Sequence, residues 1–373
     1  MSVGEVTGAV PTLLALKRKL PNVGIFLSVG TSQGLSFARD RLPSDVPVFP
    51  FPLDFPKSVS RALRTLRPNL FVDFETEFWP NFFRELKSEN IPALLLNGRI
   101  SESSERLYRY LSPLFRPVFD HFDHMAMHSA EDMERAIRIG ARPEKIEVLG
   151  SSKYDGLIDR AKPESAQSWK KLLRIGDGVR VIVGGSLRGS ECFSLMRVFK
   201  ELRRSRPDIV AVFAPRHMYN IPRMCGWLAK ENIGYDLLTS IEKGEKRRTA
   251  PVVLIDRMGA LFDVYSVGGL IFCGGTLEPV GGHNILEPAA WSKAVFYGPC
   301  LKKVLHEHRI LRAFDASFPV LDSADLLSQW EKWVDDPEGL ARHGESARKA
   351  LRSLRGVVDR QVDLIVESLS KKS

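Results

Sequence analysis

The chain has 373 residues, of which 44% are hydrophobic and 27% are charged, as in an ordinary globular protein. This length exceeds what one hydrophobic core comfortably supports, so we expect two domains. No run approaches the roughly 18 apolar residues of a membrane span, and we expect no secretory signal. The net charge of +9 indicates an acidic partner: nucleic acid, an anionic membrane surface or a phosphorylated substrate.

Short apolar runs alternate with amphipathic helical patterns from one end of the chain to the other. The opening stretch predicts a helix with Glu5 in its first turn, where an acid complements the helix dipole. The apolar runs predict strands, in chain order, over 23–29, 70–74, 91–96, 146–149, 179–183, 209–213, 252–255 and 270–272. Such alternation is typical of parallel sheets covered on both faces, and therefore of an α/β protein.

A polar stretch over 152–178 interrupts the strand rhythm, and we interpret it as the crossover between two similar halves. We predict a first domain over 1–155, a second over 156–345 and a C-terminal helix over 346–373. That last helix is amphipathic and basic, so it either packs onto the first domain or lies on a membrane. We expect it to pack.

The sequence lacks the motifs of several kinds of site: disulfides, metal sites, hydrolase triads and nucleic-acid-binding helices. The four cysteines have no CxxC spacing, which indicates reduced and mostly buried thiols. His121, His124 and His128 are not accompanied by regularly spaced acidic ligands, and His306 and His308 are expected at the surface. We therefore expect no metal site and no cofactor. The absence of a GxSxG elbow and of a basic recognition helix argues against a Ser/His/Asp hydrolase and against nucleic-acid binding.

The most informative stretch is "LIFCGGTLEPVGGHNILEPAAWSKAVFYGP", residues 270–299. A buried strand leads into two glycine pairs, and a helix then begins near Glu287. Glycines at a strand end let backbone amides approach an anion, and a helix N-terminus adds its dipole. A carboxylate just beyond, Glu287, is placed to accept hydrogen bonds from sugar hydroxyls. The alternative is that these glycines only form tight turns.

Three further loops follow strands in the same half of the chain. "VFAPRHMYN" places Pro215 and Arg216 after a strand, where the planar guanidinium suits a phosphate. "IDRMGALFD" places Met258 and Gly259 after another, and "VGGSLRGSE" forms a third glycine-containing turn. Because open α/β sheets bind ligands at the carboxyl ends of their strands, these loops are expected to converge on one ligand.

The first half offers polar residues at three predicted strand ends. In "FVDFETEFWPN" the carboxylates of Glu75 and Glu77 lie two apart, a spacing that on a strand would direct both into one cleft; the alternative, a solvated strand end, is the more usual outcome for such a pair. The next two strand ends provide Asn97, Arg99 and Ser101, and then Lys153 and Asp155. A lysine there can neutralise charge that develops on a departing phosphate.

Taken together these motifs resemble the Kdo (3-deoxy-D-manno-octulosonic acid) transferase family of lipopolysaccharide assembly. The resemblance runs over nearly the whole chain, in the family's order, through "SVGE" (2–5), "ETEFWPN" (75–81), "NGRIS" (97–101), "GSSKYD" (150–155), "APRH" (214–217), "DRMG" (256–259) and the stretch over 270–299. It implies a GT-B glycosyltransferase with two Rossmann-like domains facing a cleft and the C-terminal helix packed back on the first.

The resemblance also implies residue roles. Glu5 matches the general base, and Glu75 and Lys153 match residues that stabilise the transition state. The implied nucleotide site consists of Pro215, Arg216, Met258, Gly259, Gly282, His283, Asn284, Ile285, Leu286 and Glu287. The implied reaction is inverting, metal-independent transfer of Kdo from CMP-Kdo to a hydroxyl of a lipid A precursor. The implied location is the cytoplasmic face of the inner membrane, with the protein peripheral on an anionic surface.

The same loops are compatible with another GT-B transferase or epimerase that uses a UDP-sugar, or with an inactive homologue at the membrane surface. The sequence departs from the family in three places, one of which is "LSVGTSQG" (27–34), where only part of the family's Thr-rich loop is kept. A membrane anchor and a first strand normally precede "SVGE"; here Met1 stands directly before it, either natively or because the start is truncated. Ser186 and Leu187 stand where Thr-His is usual. By position Glu5 is a helix cap, and by family match it is a base.

Overall fold

A computed structural model describes residues 3–176 and 178–371 of the chain. Met1, Ser2, Asp177, Lys372 and Ser373 lie outside the described residues, and with them the first residue of the "SVGE" motif and the end of the basic tail. The chain divides into two compact units. The first, unit 1, is Met1–Gly156 with Leu354–Ser373, and the second, unit 2, is Leu157–Ser353.

The strands follow the alternation expected of an α/β protein. In chain order they are β1 (Leu27–Val29), β2 (Val48–Pro50), β3 (Phe71–Phe74), β4 (Ala93–Gly98), β5 (Phe122–Met127), β6 (Ile146–Val148), β7 (Val181–Leu187), β8 (Val210–Pro215), β9 (Tyr235–Leu237), β10 (Val252–Leu254), β11 (Leu270–Cys273), β12 (Val295–Tyr297) and β13 (Ser317–Pro319).

Helices separate most of the strands. They are α1 (Val3–Lys19), α2 (Ser32–Arg39), α3 (Pro56–Leu66), α4 (Pro80–Ser88), α5 (Glu102–Tyr110), α6 (Ser112–His121), α7 (Ala130–Arg138), α8 (Leu157–Arg160), α9 (Pro163–Leu172), α10 (Glu191–Ser205), α11 (Ile221–Lys230), α12 (Leu238–Glu242), α13 (Leu261–Val264), α14 (Glu287–Ala290), α15 (Leu305–Ala313), α16 (Ser323–Trp333), α17 (Pro337–Arg352) and α18 (Val357–Ser370). In the described part of the chain, none of them combines the length and apolar character that a bilayer span requires.

Unit 1 contains two parallel sheets, β1–β2 and β3–β4–β5–β6. Alternate residues of β4 face opposite hydrophobic clusters. Ala93 and Leu95 pack with the phenylalanines of α4 and α6, whereas Leu94 and Leu96 pack with residues of α1 and α18. Because side chains alternate between the faces of a strand, a strand covered on both faces is apolar throughout. This explains the uninterrupted apolar run in the sequence.

Unit 2 contains one parallel sheet in the order β13–β12–β11–β7–β8–β10–β9. The chain runs from β7 outward through β8 and later returns to the other side of β7 with β11. The loops that follow β7 and β11 therefore meet where the strand order reverses, which is where open α/β sheets bind their ligands. Helices on both faces bury the sheet, with Phe213 and Phe272 fully buried in the core.

Each of the eight predicted strands coincides with an observed one, with ends displaced by a few residues. The sequence did not predict β2, β5, β9, β12 and β13. Four of these have only three residues, too few for an alternating pattern, and β5 contains an Asp and a His within "FDHMAM". Short or polar strands are set by their neighbours in the sheet rather than by local propensity.

The C-terminal helix packs on unit 1, as predicted. Thr12 of α1 donates to Gln361 of α18 at 2.7 Å, and Val362 and Ile365 join the same hydrophobic cluster as α1. The predicted range of 346–373 is wrong, because α17 ends at Arg352 and α18 begins at Val357. The interruption falls at Gly356, whose φ of 93° lies in the left-handed region that glycine tolerates.

Candidate active site

Glu5 lies in the first turn of α1, the position at which a carboxylate stabilises a helix through its dipole. One turn later, Gly8 packs directly against the side chain of Lys153. A Cβ atom at Gly8 would lie 2.7 Å from Nδ2 of Asn97 and 3.3 Å from Cε of Lys153, so a larger residue would disturb the side chains around it. The start of α1 and the chain around Lys153 are therefore in contact.

Lys153 donates a short hydrogen bond from its ammonium group to Oε1 of Glu75. The side chains of this pair are 24% and 16% exposed, so both charges are largely removed from water but still reachable. Glu75 has a φ of 69°, a left-handed conformation that is costly for a residue with a Cβ atom. A backbone bond from Glu75 N–H to the carbonyl of Leu96, at 2.9 Å, holds it there. Three predicted catalytic residues, Glu5, Glu75 and Lys153, are thus grouped in unit 1.

The expectation that Glu75 and Glu77 share one cleft is not met. The strand ends at Phe74, and the left-handed residue after it breaks the two-residue alternation on which the expectation rested. Glu75 pairs with Lys153, whereas Glu77 accepts a hydrogen bond from the Trp79 indole at 3.0 Å. The two carboxylates therefore have separate partners.

Asp73, which the sequence did not single out, is a buried carboxyl beside this group. It is 3% exposed and accepts one long hydrogen bond, at 3.3 Å, from the backbone N–H of Glu77. Burial, with smaller contributions from the negative charges of Glu77 and Glu5, raises the pKa of Asp73 to about 7. The contribution of Glu5 shows that its carboxylate lies within electrostatic range of the end of β3.

Asn97 joins three parts of unit 1 from the end of β4. It donates to Ser152 Oγ at 2.7 Å, and its carbonyl oxygen accepts from the Ser152 N–H at 3.1 Å and from the Gln361 amide at 2.8 Å. Ser152 in turn donates to the carbonyl of Gly8 at 2.7 Å. Asn97 is 2% exposed, so it positions α1, α18 and the chain before Lys153 rather than contacting a ligand.

The remaining predicted polar residues of unit 1 have structural partners. Ser101 caps α5, accepting from the Ser104 N–H at 3.1 Å. Asp155 accepts from the N–H groups of Gly356 at 2.9 Å and Val358 at 2.5 Å and so fixes the start of α18. His124 pairs with Glu147 at 2.7 Å and His121 with the carbonyl of Ile91 at 2.9 Å. Within residues 3–176 and 178–371, no group of three side chains suited to a metal ion occurs.

In unit 2 the loops after β7 and β11 are joined by the carboxylate of Glu191, the first residue of α10. It is 1% exposed and accepts four backbone N–H groups: Arg188 at 2.8 Å, Gly275 at 2.6 Å, Thr276 at 2.9 Å and Leu277 at 2.8 Å. The sequence predicted that amides near Gly275 approach an anion. The anion they approach is a side chain of the protein itself.

Backbone hydrogen bonds connect the other loops to this pair. The N–H of Arg216 donates to the carbonyl of Leu187 at 2.8 Å, the N–H of Gly282 to Gly275 at 2.7 Å, and the N–H of Lys303 to Gly281 at 2.8 Å. Gly281 and Gly282 have φ values of 96° and 92°, which explains why glycine is needed at both. Backbone hydrogen bonds therefore join the loops that follow β7, β8 and β11, whereas convergence of all four predicted loops on one ligand stays a prediction.

His283 lies at the centre of a cationic cluster in these loops. Its ring packs against Gly275, where a Cβ atom would come within 2.7 Å. Burial, followed by the positive charges of Arg216, Arg188, Lys303 and His217, lowers the pKa of His283 to about 4. The ring is therefore neutral at physiological pH, and its Nε2 atom is buried without a hydrogen-bond partner. Cations at this density indicate a site for an anion.

Glu287 begins α14 beside this cluster. Asn284 donates to its Oε1 at 3.4 Å and also caps the turn, accepting from the Leu286 N–H at 3.0 Å. Burial raises the pKa of Glu287, and the nearby charge of Arg160 is the largest opposing influence. Arg160 lies 4.1 Å above the ring of Phe262. The carboxylate thus has one oriented polar neighbour, Asn284, and two cations that act on it, Arg160 and Arg216.

The other predicted nucleotide-site residues fall into two groups. Met258 is 61% exposed beside Gly259, whose φ is 88°, so this turn presents an apolar side chain to solvent. Pro215, Ile285 and Leu286 are buried. Ile285 and Leu286 are fully buried at 0% exposure, so they hold the loop in the core and do not present side chains to a ligand.

Sequence reasoning missed Arg188, Lys303, Glu191 and Arg160. Arg188 and Glu191 lie in the glycine-containing turn that was singled out, and a charged residue beside a glycine at a strand end was the available signal. Lys303 and Arg160 lie just outside the quoted motifs, and only the fold shows that their charges act on His283 and Glu287.

Comparison with known proteins agrees with these observations. The family model described as 3-Deoxy-D-manno-octulosonic-acid transferase (kdotransferase) matches residues 1–156. A 3-deoxy-D-manno-octulosonic acid transferase of Chlamydia trachomatis serovar D is 30% identical over 341 residues, covering 89% of this chain and 77% of that protein. A bifunctional glycosyltransferase/methyltransferase of Fusobacterium nucleatum is 31% identical over 307 residues, covering 82% of this chain but only 47% of that protein.

Among solved structures, a glycosyltransferase from Rickettsia africae has the same fold. It covers 98% of this chain and 95% of its own, with a TM-score of 0.64 and 13% identity. The fold and the sites define the protein as a GT-B glycosyltransferase built from Rossmann-like α/β domains. The chain belongs to the 3-deoxy-D-manno-octulosonic acid (Kdo) transferase family.

Proposed function

We propose that the protein transfers Kdo from CMP-Kdo to a hydroxyl group of a lipid A precursor, with inversion at the anomeric carbon and without a metal ion. One observation supports this most strongly. Glu5, Glu75 and Lys153, which come from three distant parts of the chain, are grouped at one end of unit 1. Transfer to a hydroxyl requires a base, and a carboxylate beside a partly buried ion pair can provide it.

In the proposed reaction, Glu5 is the general base. An alcohol is a poor nucleophile at neutral pH, and a positioned carboxylate that takes its proton accelerates attack by about 10²–10⁴-fold. The acceptor oxygen forms a bond to the anomeric carbon of Kdo, the bond from that carbon to the phosphate oxygen breaks, and CMP leaves with the electron pair. The proton of the acceptor hydroxyl ends on Glu5.

Glu75 and Lys153 act as fixed charges in this proposal. Their geometry is set before substrate arrives, by the backbone bond of Glu75 to Leu96 and by the packing of Lys153 on Gly8. Charges that need no rearrangement stabilise a polar transition state more than mobile ones do. The left-handed conformation of Glu75 supports a functional role, since such strain is retained where function requires it.

The donor is proposed to bind unit 2, at the carboxyl ends of β7, β8 and β11. Arg216 is exposed and holds the phosphate, and the turn around Gly282, which is bonded to the loop after β11, contributes to the same site. Glu287 accepts hydrogen bonds from the ribose hydroxyls, and Met258 with Gly259 covers the base. The leaving group is a phosphate already, so protein cations are sufficient to stabilise it.

The acceptor carries phosphates and is anchored in a bilayer, so the protein is proposed to act on an anionic membrane surface at the cytoplasmic face of the inner membrane. Unit 1 exposes two large apolar side chains, Leu53 at 71% and Phe55 at 64%. They directly precede α3, which carries Lys57, Arg61 and Arg64. Exposed apolar residues beside basic ones favour binding to anionic lipids.

Thermal unfolding with nucleotides tests the donor. A ligand that binds only the native state raises the midpoint, so CMP is expected to raise it and UDP at the same concentration is not. Protection by UDP alone would favour a UDP-sugar enzyme instead. The second step is incubation with CMP-Kdo and a lipid A precursor. Mass spectrometry is expected to find the acceptor heavier by whole Kdo residues; protection by CMP without any such product would indicate an inactive donor-binding protein.

A further inference from the structure

Arg188 is an arginine in the anion site of unit 2 to which the proposed nucleotide site gives no role. It lies in the turn between β7 and α10, and its backbone N–H is fixed by the Glu191 carboxylate at 2.8 Å. Its neighbour Leu187 accepts the N–H of Arg216 at 2.8 Å. Two arginines that follow adjacent parallel strands are thereby held side by side.

Neither guanidinium is used within the protein. Among residues 3–176 and 178–371, Arg188 and Arg216 form no ion pair, and the Nε atom of Arg188 is buried without a hydrogen-bond partner. Arg216 is exposed, whereas Arg188 is only half-exposed. A buried unpaired guanidinium nitrogen is costly, so its retention indicates that a ligand supplies the partner.

The charge in this site exceeds what one phosphate requires. Arg188, Arg216, Lys303 and His217 all act on His283. The nearby carboxylates have other hydrogen-bond partners: Glu191 accepts four backbone N–H groups, Glu278 accepts from Ser190, and Glu287, on which the charge of Arg216 also acts, accepts from Asn284. A phosphodiester carries a single negative charge. Two separate guanidinium groups therefore fit a ligand with two anionic groups close together.

CMP-Kdo is such a ligand, and this step rests on the function proposed above. Kdo is a 2-keto acid sugar, so its carboxylate is attached to the anomeric carbon, which also carries the phosphate oxygen. The carboxylate carbon and the phosphorus atom are consequently three bonds apart, joined through the anomeric carbon and that oxygen. A guanidinium offers a planar pair of N–H donors that matches a carboxylate, which a lysine does not.

We propose that Arg188 binds the carboxylate of the transferred sugar, while Arg216 binds the phosphate. Arg188 then determines specificity for nucleotide-linked 2-keto acid sugars over neutral sugars. A neutral donor would leave the half-buried guanidinium unpaired, and a site built around a charged partner rejects ligands that lack it. His283 stays neutral beside them and adds no further charge to the pocket.

The test compares the binding of two ligands to the parent and to variants of Arg188. The ligands are a non-transferable CMP-linked 2-keto acid sugar with its free carboxylate and the same compound as the carboxamide, both measured by titration calorimetry. The parent is expected to bind the carboxylate about 10–100-fold more tightly, the value of a charged hydrogen bond. In Arg188→Gln the two ligands are expected to bind equally. Arg188→Lys keeps the charge without the planar fork, and an intermediate preference is expected.

Controls separate the possible failures. CMP alone has no carboxylate, so Arg188→Gln is expected to weaken CMP less than it weakens the carboxylate ligand, whereas Arg216→Gln weakens CMP and both ligands. Arg197→Gln removes an exposed charge from α10 and should match the parent throughout. If Arg188→Gln weakens CMP as much as the carboxylate ligand, or keeps the parent's preference, the assignment of Arg188 is wrong. If the parent does not bind CMP at all, the proposed function fails first.

Discussion

The carboxylate of Glu191 accepts a hydrogen bond at 2.6 Å from the backbone N–H of Gly275, which connects the loops that follow β7 and β11. The same carboxylate binds the N–H groups of Thr276 and Leu277 and that of Arg188. A buried acid thus occupies the amides that a glycine-rich strand end exposes, and it fixes the position of the cationic side chains around them.

Replacing Glu191 with Gln is therefore expected to lower the free energy of unfolding by about 2–3 kcal/mol, because one neutral oxygen replaces a charged acceptor of four N–H groups. Chemical denaturation of the parent and the variant measures this. The matched control is Glu201→Gln on the same helix, whose side chain is 40% exposed and pairs only at the surface. If both variants have the same free energy of unfolding as the parent, Glu191 does not hold these loops.

Replacing Glu5 with Gln is expected to reduce the rate of transfer by about 10²–10⁴-fold, because the amide cannot accept the proton of the acceptor hydroxyl. Binding of CMP should be unchanged, since the proposed nucleotide site lies in unit 2. The measurements are initial rates with CMP-Kdo and calorimetry with CMP. Glu144→Gln, an exposed residue of unit 1, is the control. Undiminished transfer by Glu5→Gln would exclude the general-base role.

Glu75 offers a test of backbone strain. Its φ of 69° suits glycine, so Glu75→Gly is expected to be about 1 kcal/mol more stable than Glu75→Ala, the reverse of the usual order. Both variants lose the ion pair with Lys153 and are expected to transfer poorly. Thermal unfolding of the two proteins side by side gives the difference. An alanine variant as stable as the glycine variant would show that the left-handed conformation is not maintained.

Asp73 predicts a pH dependence of stability. Burial and the charges of Glu77 and Glu5 raise its pKa to about 7 in the folded chain, from an ordinary value of 3.8. The folded protein therefore binds the proton more tightly than the unfolded chain does. Its contribution to stability is complete below about pH 4 and is lost as the pH rises to 7, by up to about 1.4 kcal/mol per pH unit.

The variant Asp73→Asn cannot ionise, so its stability is expected to fall less than that of the parent between pH 4 and pH 7. Denaturant titrations at pH 4.5, 5.5, 6.5 and 7.5 on both proteins, roughly one pH unit apart across the interval set by the two pKa values, measure the slopes. Equal slopes in both proteins would mean that Asp73 titrates normally. Tyr108, whose own pKa the Asp73 charge raises, lies too high to interfere in this range.

The exposed pair Leu53 and Phe55 predicts the membrane contact. Replacing both with Ser is expected to reduce sedimentation with vesicles that contain anionic lipid, because less apolar surface enters the interface. Binding of CMP should not change. Leu321→Ser, at a residue 78% exposed in unit 2, is the matched control. Equal sedimentation of all three proteins would place the membrane contact elsewhere on the chain.

Much of the fold was predictable because its signals are local. The apolar run of β4 is long enough to show that both faces of the strand are covered. The glycines at 281 and 282 mark a turn that requires positive φ values. The short strands β12 and β13 carry no such signal, since three residues define no period. Their place in the sheet follows from their neighbours, which a local pattern does not record.

The sequence by itself determined the α/β class and the family, and it predicted Glu5, Glu75, Lys153 and Arg216 as site residues, because family motifs are contiguous and their order along the chain is visible. Only the tertiary structure decided that Asp73 is a buried acid beside Glu77, that Glu191 occupies the glycine amides, and that Arg188 and Lys303 act on His283. The physical reason is that burial and electrostatic proximity depend on distances in space, and residues far apart in the chain acquire those distances only when the sheet forms.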